Sequence, residues 1–82
     1  MTVPVTVRYF AGARAAAGVE NELRSAHTLQ ELLDQVTAAH GERLAKVLAA
    51  CSFLVDGTST RDRTVSLSPD AVVDVLPPFA GG

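Results

Sequence analysis

The residues with the most to offer chemically come last: Pro77-Pro78-Phe79-Ala80-Gly81-Gly82. Two prolines cannot donate to a β-ladder and favour a stiff, extended, polyproline-like course. A pair of glycines can thread a channel too narrow for any side chain. The one group of unusual reactivity on such a segment is the carboxylate of Gly82. At about 3.3–3.6 Å per residue, Pro78 to Gly82 reaches about 17 Å past the globule, enough to place that carboxylate in the active site of another protein. Small residues at a terminus more commonly just fray. The rigid exit and the adjacent Phe79 are what make Gly81 and Gly82 more than that.

The other reactive side chains read as structure. Cys51 closes a stripe of Leu44, Val47 and Leu48 at helical spacing and behaves there as a small buried hydrophobe. A single cysteine makes no internal disulfide. Together with His27 and His40 it falls short of the four ligands of a structural zinc site or an iron–sulfur cluster. No bound metal and no bound cofactor are expected. His27 precedes a helix cap, and His40 lies near a helix end where its charged form suits the dipole. Arg61-Asp62-Arg63 reads as a solvated loop. No Ser/Cys–His–acid spacing supports a free-standing enzyme.

These residues sit in a chain of 82, 48% hydrophobic and 20% charged, with net charge −2. That length allows one core, and a domain so small buries only about 60–65% of its unfolded surface. The hydrophobicity argues against disorder. The absence of a clustered Lys/Arg surface argues against nucleic acid. No apolar run approaches the ~20 residues of a membrane span, and the N-terminus lacks a signal-peptide pattern. A cytoplasmic protein without membrane contact is the expectation.

The elements that must hold the tail follow from periodicity. Val3, Val5, Val7 and Tyr9 alternate with Pro4, Thr6, Arg8 and Phe10, a half-buried strand that puts Phe10 on the face opposite the valines. Residues 11–18 predict a turn or short helical loop, and 19–24 a second strand forming a hairpin with the first. Thr28-Leu29-Gln30-Glu31 is a capping box in which Glu31 reaches back to the Thr28 amide. Leu29, Leu32, Leu33 and Val36 give the following helix one apolar stripe, and Gly41 suits a left-handed stop. Residues 42–51 predict a shorter helix. Residues 52–55 predict a strand closed by the turn dipeptide Asp56-Gly57. Thr58 to Arg63 reads as polar loop and Thr64 to Leu67 as a brief edge strand. After the turn signal Ser68-Pro69-Asp70, the valine-rich stretch Ala71 to Leu76 suits a strand covered on both faces. The expected fold is α+β: a mixed sheet with one main helix on one face and the last strand beside the first. This is compatible with a β-grasp (ubiquitin-like) domain over residues 1–76, followed by a flexible tail, 77–82.

Two stretches carry a resemblance that extends over essentially the whole chain. Val7-Arg8-Tyr9-Phe10-Ala11 with Arg14 and Gly18, and Leu76-Pro77-Pro78-Phe79-Ala80-Gly81-Gly82, resemble the MoaD family, the ubiquitin-like sulfur carriers that form the small subunit of molybdopterin synthase. The resemblance implies a non-catalytic carrier with no activity alone. A MoeB-like adenylyltransferase, related to ubiquitin activators and consuming ATP, would join Gly82 to AMP. A sulfurtransferase donor would then displace AMP with persulfide sulfur, leaving Gly82 as a thiocarboxylate. The tail, with Gly81 allowing its passage, would enter a MoaE-like large subunit and deliver sulfur to cyclic pyranopterin monophosphate for molybdopterin. Phe10, Leu76, Pro77, Pro78, Phe79 and Ala80 would bind the partner; an exposed Phe10 with Leu76 and Phe79 would anchor it.

Two other assignments share part of this pattern. A sulfur carrier for thiazole or cysteine biosynthesis would use the same tail chemistry. A ubiquitin-like protein modifier would instead form isopeptide bonds through Gly82.

Overall fold

The computed structural model describes residues 4–78, built in the order β1 (Pro4–Tyr9), α1 (Ala11–Ala17), β2 (Asn21–Ser25), α2 (Leu29–His40), α3 (Glu42–Leu48), β3 (Ser52–Val55), β4 (Thr58–Thr60) and β5 (Ala71–Leu76). The five strands form one sheet in the order β2-β1-β5-β3-β4. β1 and β5 are parallel, pairing Val5 with Ala71 through Tyr9 with Val75, and the other pairs are antiparallel. The expected hairpin of the first two strands and the pairing of the last with the first are both present. They give the mixed sheet of a β-grasp domain.

Alternation decides what the sheet buries. Val5, Val7 and Tyr9 of β1, Ala71, Val73 and Val75 of β5 and Phe53 of β3 join one core with Leu29, Leu32, Leu33 and Val36 of α2 and Leu44 and Leu48 of α3. Burying each such side chain stabilises the fold by about 1.5–3 kcal/mol before entropy is set against it. The apolar stripe of α2 is therefore the lid of the sheet. Its start is capped as expected, the Glu31 amide donating to Thr28 Oγ1 at 3.1 Å, a contact worth about 1 kcal/mol. The return arm differs: Glu31 Oε1 accepts from the amide of His27 at 3.3 Å, not from that of Thr28.

Other differences have local causes. Residues 11–17 form a full two-turn helix, since the alanines favour it and Gly18, at φ 80°, closes it in the left-handed conformation. That closure delays β2, which runs over Asn21–Ser25. α1 thus joins the expected main helix, α2, and the expected shorter helix, α3, which ends at Leu48 rather than at residue 51. Gly41, at φ 94° and ψ −172°, ends α2 and at once starts α3. Asp56 and Gly57 have φ 49° and 85°, the two positive values of a type I′ hairpin turn. That turn recruits Thr58–Thr60 as strand β4, so the expected loop begins later. Thr64–Leu67 adds no edge strand; Ser66 makes only an isolated bridge to Thr28. β5 lies inside the sheet, but helices cover one of its faces only.

Candidate functional site

The tail leaves from the end of β5, the central strand, and the parallel register brings the end of β1 to the same place. One residue beyond the Tyr9/Val75 pair, the amide of Phe10 donates to the Val75 carbonyl at 3.2 Å. Phe10 and Leu76 thus stand side by side at the tail's root, on the helix-free face by alternation. Phe10 is 40% exposed. Leu76 and Pro77 are half-buried and Pro78 is exposed. The expected surface position of Phe10 and its neighbourhood with Leu76 are therefore present. Phe79, Ala80, Gly81 and Gly82 lie outside the described residues.

Behind Phe10 on the same face, Arg8 and Asp74 are cross-strand partners. The guanidinium grips the carboxylate with both arms, Nη2 to Oδ2 at 2.9 Å and Nε to Oδ1 at 2.5 Å. The same guanidinium carbon lies 5.7 Å from the Phe10 ring centroid, within cation–π range. Hydrogen bonding to Asp74, then its charge, raise the Arg8 pKa above the usual range against a smaller opposing effect of desolvation. Arg8 stays a cation at any physiological pH. Asp74, 8% exposed, is the buried charged residue of the described core. Periodicity in β5 suggests nothing of this. The only sign is that β1 and β5 carry one charge each, of opposite sign, and it becomes readable only after the two strands are paired.

Toward β2 the same end of the sheet opens into a groove of about 320 Å³, lined by Arg8, Phe10, Ala11, Arg14, Glu20 and Asn21 among others. Ala11 has φ 49°, a left-handed value that costs an L-residue about 1–2 kcal/mol. It is the point where the chain turns off β1 into α1. Arg14 and Glu20 approach only to 4.0 Å, with side chains 60% and 76% exposed. Among the sequence signals, Arg14 belonged to the resemblance, but nothing in the pattern placed it beside the tail.

On the helix side of the sheet a second polar group closes the structure. Glu22 accepts from Tyr9 Oη at 2.8 Å and from Arg24 Nε at 2.7 Å, and pairs with His40 Nε2 at 2.5 Å. Burial alone would push the Glu22 carboxyl up, but hydrogen bonds from Tyr9, His40 and Arg24 outweigh it and hold it below the usual range. Burial first, then the Glu22 contact, drive the Tyr9 phenol far upward, so it remains a neutral donor. His40 therefore ties the end of α2 to β2. Cys51, 6% exposed, donates to the Val47 carbonyl at 3.1 Å, and burial raises its pKa against the nearby Arg63 charge. It is buried as expected, just past α3. No three metal-binding side chains gather among the described residues. No helix there is long and apolar enough to cross a membrane.

Comparison with known proteins agrees with this arrangement. The ThiS family model matches residues 7–82. The curated proteins give no match. Among solved structures, small archaeal modifier protein 1 from Methanosarcina acetivorans superposes with a TM-score of 0.87 at 22% identity, covering 100% of this chain and 99% of its own. A Pyrococcus furiosus protein assigned as subunit 1 of a molybdopterin converting factor gives 0.83 at 26% identity, over 95% of this chain and 100% of its own. The complex of subunits 1 and 2 of molybdopterin-converting factor from Helicobacter pylori contains a chain matching at 0.71 and 26% identity, over 96% and 99%.

Proposed function

Because this chain belongs to the ThiS family, and is a MoaD/ThiS-like ubiquitin-like protein, we propose that it is the sulfur carrier of a molybdopterin synthase. The supporting observation is the tail's root. The central strand hands the chain to Pro77-Pro78 beside an exposed Phe10, and the family match runs on through Gly82. At the coarser level the protein is a sulfur carrier or a ubiquitin-like modifier, and both use the same carboxylate.

The chemistry begins with an adenylating enzyme of the MoeB type. The Gly82 carboxylate attacks the α-phosphorus of ATP, pyrophosphate leaves, and a poor leaving oxygen becomes part of a good one, AMP. A donor's persulfide sulfur attacks the acyl carbon and AMP departs. A second thiol on the donor side cleaves the remaining S–S bond, taking the donor sulfur as a disulfide and releasing the thiocarboxylate. The tail then enters a MoaE-like large subunit, whose closed site excludes water while sulfur passes to the pyranopterin. The complex between the two Helicobacter pylori subunits supports such a partner. No general acid or base of this chain takes part; its contribution is to carry the tail and offer Phe10, Leu76 and Pro77 as its docking base.

A protein-modifier role is the second reading, favoured by the 0.87 superposition on the archaeal modifier. Intact mass after incubation with ATP, the adenylating enzyme and a sulfur donor tests the carrier. A Gly82-dependent, alkylation-trapped gain of sulfur is expected, with a Gly82-deleted chain as control against methionine oxidation. No gain, with isopeptide adducts in extracts instead, would turn the assignment to a modifier.

A further inference from the structure

We propose that β2 is an edge for a second copy of this chain: two copies pair antiparallel through Asn21–Ser25, about a two-fold axis at Leu23, and join their sheets into one. This goes beyond the tail chemistry and does not depend on it.

The ladder to β1 decides which way the backbone of β2 points. The Tyr9 amide donates to the Glu20 carbonyl at 2.9 Å, and the register continues through Val7 with Glu22 and Val5 with Arg24. Hydrogen-bonded pairs alternate along an antiparallel ladder, so Glu20, Glu22 and Arg24 turn their backbone groups to β1. Asn21, Leu23 and Ser25 turn theirs outward, to the free edge of the sheet. Gln35 Nε2 donates to the Ser25 carbonyl from that side, at 2.5 Å. Edges are commonly closed by proline, a bulge or a charge, and these three outward positions carry none of them. Leu23, at their centre, is 74% exposed, more than Phe10 or Val19. The other edge, β4, is only Thr58–Thr60 and wholly polar.

One register suits a two-fold axis on this edge. Centred on Leu23, the two Leu23 residues exchange backbone hydrogen bonds and bring their side chains together on the helix-free face, while Asn21 falls opposite Ser25. Glu22 then lies across from Arg24 of the second copy on both sides of the axis, a cross-strand placement of opposite charges. Centring on Asn21 would set Glu20 against Glu22, like against like. Centring on Ser25 would need the carbonyl that Gln35 holds. Because the axis reverses strand direction and β5 runs parallel to β1, the two tail roots lie at opposite ends of the joined sheet. So short an edge makes a small contact, and the dimer is weak, with a Kd of about 0.1–1 mM.

Sedimentation of the full-length chain from about 20 μM to about 2 mM brackets that range; monomer should pass to dimer, with concentration-dependent amide shifts centred on β2. Leu23→Lys puts like charges on the axis and should weaken association by about tenfold or more, less so in high salt. Its melting temperature should match wild type, since the side chain it replaces lies mostly in solvent. Cysteine substitution reads the register. The axis brings the Cα atoms of two residues 23 to about 5.5 Å, within disulfide range, and holds two residues 21 about 14 Å apart. Leu23→Cys should therefore oxidise to a linked dimer about tenfold faster than Asn21→Cys. ATP–pyrophosphate exchange by the adenylating enzyme, run at low chain concentration, should agree within about twofold for wild type and Leu23→Lys. A monomer at the highest concentration, shifts centred on Phe10 and Leu76 instead, or equal oxidation of the two cysteine variants overturns the pairing. Lost exchange in a folded Leu23→Lys chain gives Leu23 to the enzyme and overturns it too.

Discussion

Two charged clusters flank β1, one on each face of the sheet, and they are built to different ends. On the helix side, Glu22 gathers Tyr9, Arg24 and His40, with the Glu22 and His40 side chains 16% and 17% exposed. Every partner faces inward, and the cluster locks the end of α2 to β2. On the open side, Arg8 grips Asp74 while half of its own side chain stays in solvent. Its free flank lies by Phe10, at the tail's root. A saturated cluster can only stabilise. A pair left open on one side can also present a neighbour to a partner.

Breaking the inner cluster should give the largest stability effect. Glu22→Ala is expected to cost about 2–3 kcal/mol in urea unfolding, because a buried phenol, an arginine and a histidine lose their partner at once. Exchange kinetics with the adenylating enzyme should stay unchanged below the melting temperature. A loss under 0.5 kcal/mol, roughly the noise of a surface change, would show the cluster to be ornamental.

Acid titration sharpens the same contrast. The folded Glu22 pKa lies below its unfolded value, so near pH 4 the unfolded chain binds more protons and stability rises with pH. The contribution is full above the unfolded pKa of about 4.3 and disappears as pH falls through the folded one. Glu22→Gln should flatten the stability curve in that window and leave its shape near neutrality.

Asp74→Asn should cost less stability than Glu22→Ala and more function. It leaves Arg8 without its bidentate anchor, so the fluorescence-detected affinity for a tail-binding partner is expected to fall by about threefold to tenfold, in the range of a loosened interface contact. Unchanged affinity would mean that Phe10 keeps its place without Arg8. The smallest effect is expected at Ala11, whose positive φ is relieved in Ala11→Gly. Strain relief of about 1 kcal/mol is set against the added freedom of the unfolded glycine, so melting should shift by no more than a few degrees. A large fall would locate a packing role for its methyl group.

Much of the frame is legible in residue order alone because its causes are local. Thr28 and Glu31 start α2 through contacts three and four residues apart. Asp56-Gly57 turns the chain because its two left-handed values suit a right-twisted hairpin. Alternation in β1 announces that Phe10 faces away from the core. The same local logic stops short at α1, where the glycines at 12 and 18 suggest a turn or short helical loop and the chain forms a two-turn helix that Gly18 ends. It fails again at Thr58–Thr60, whose polar residues become a strand because the preceding turn aims them at β3.

By itself, then, the order of amino acids determined the helices' apolar stripes and the turns. Folding decided the rest. Arg8 and Asp74 are 66 residues apart in the chain, and Tyr9, Glu22 and His40 come from three different elements. Such contacts depend on the register between β1 and β5 and on where α2 comes to rest. Those are set by burying one shared core, and no short window of sequence contains it.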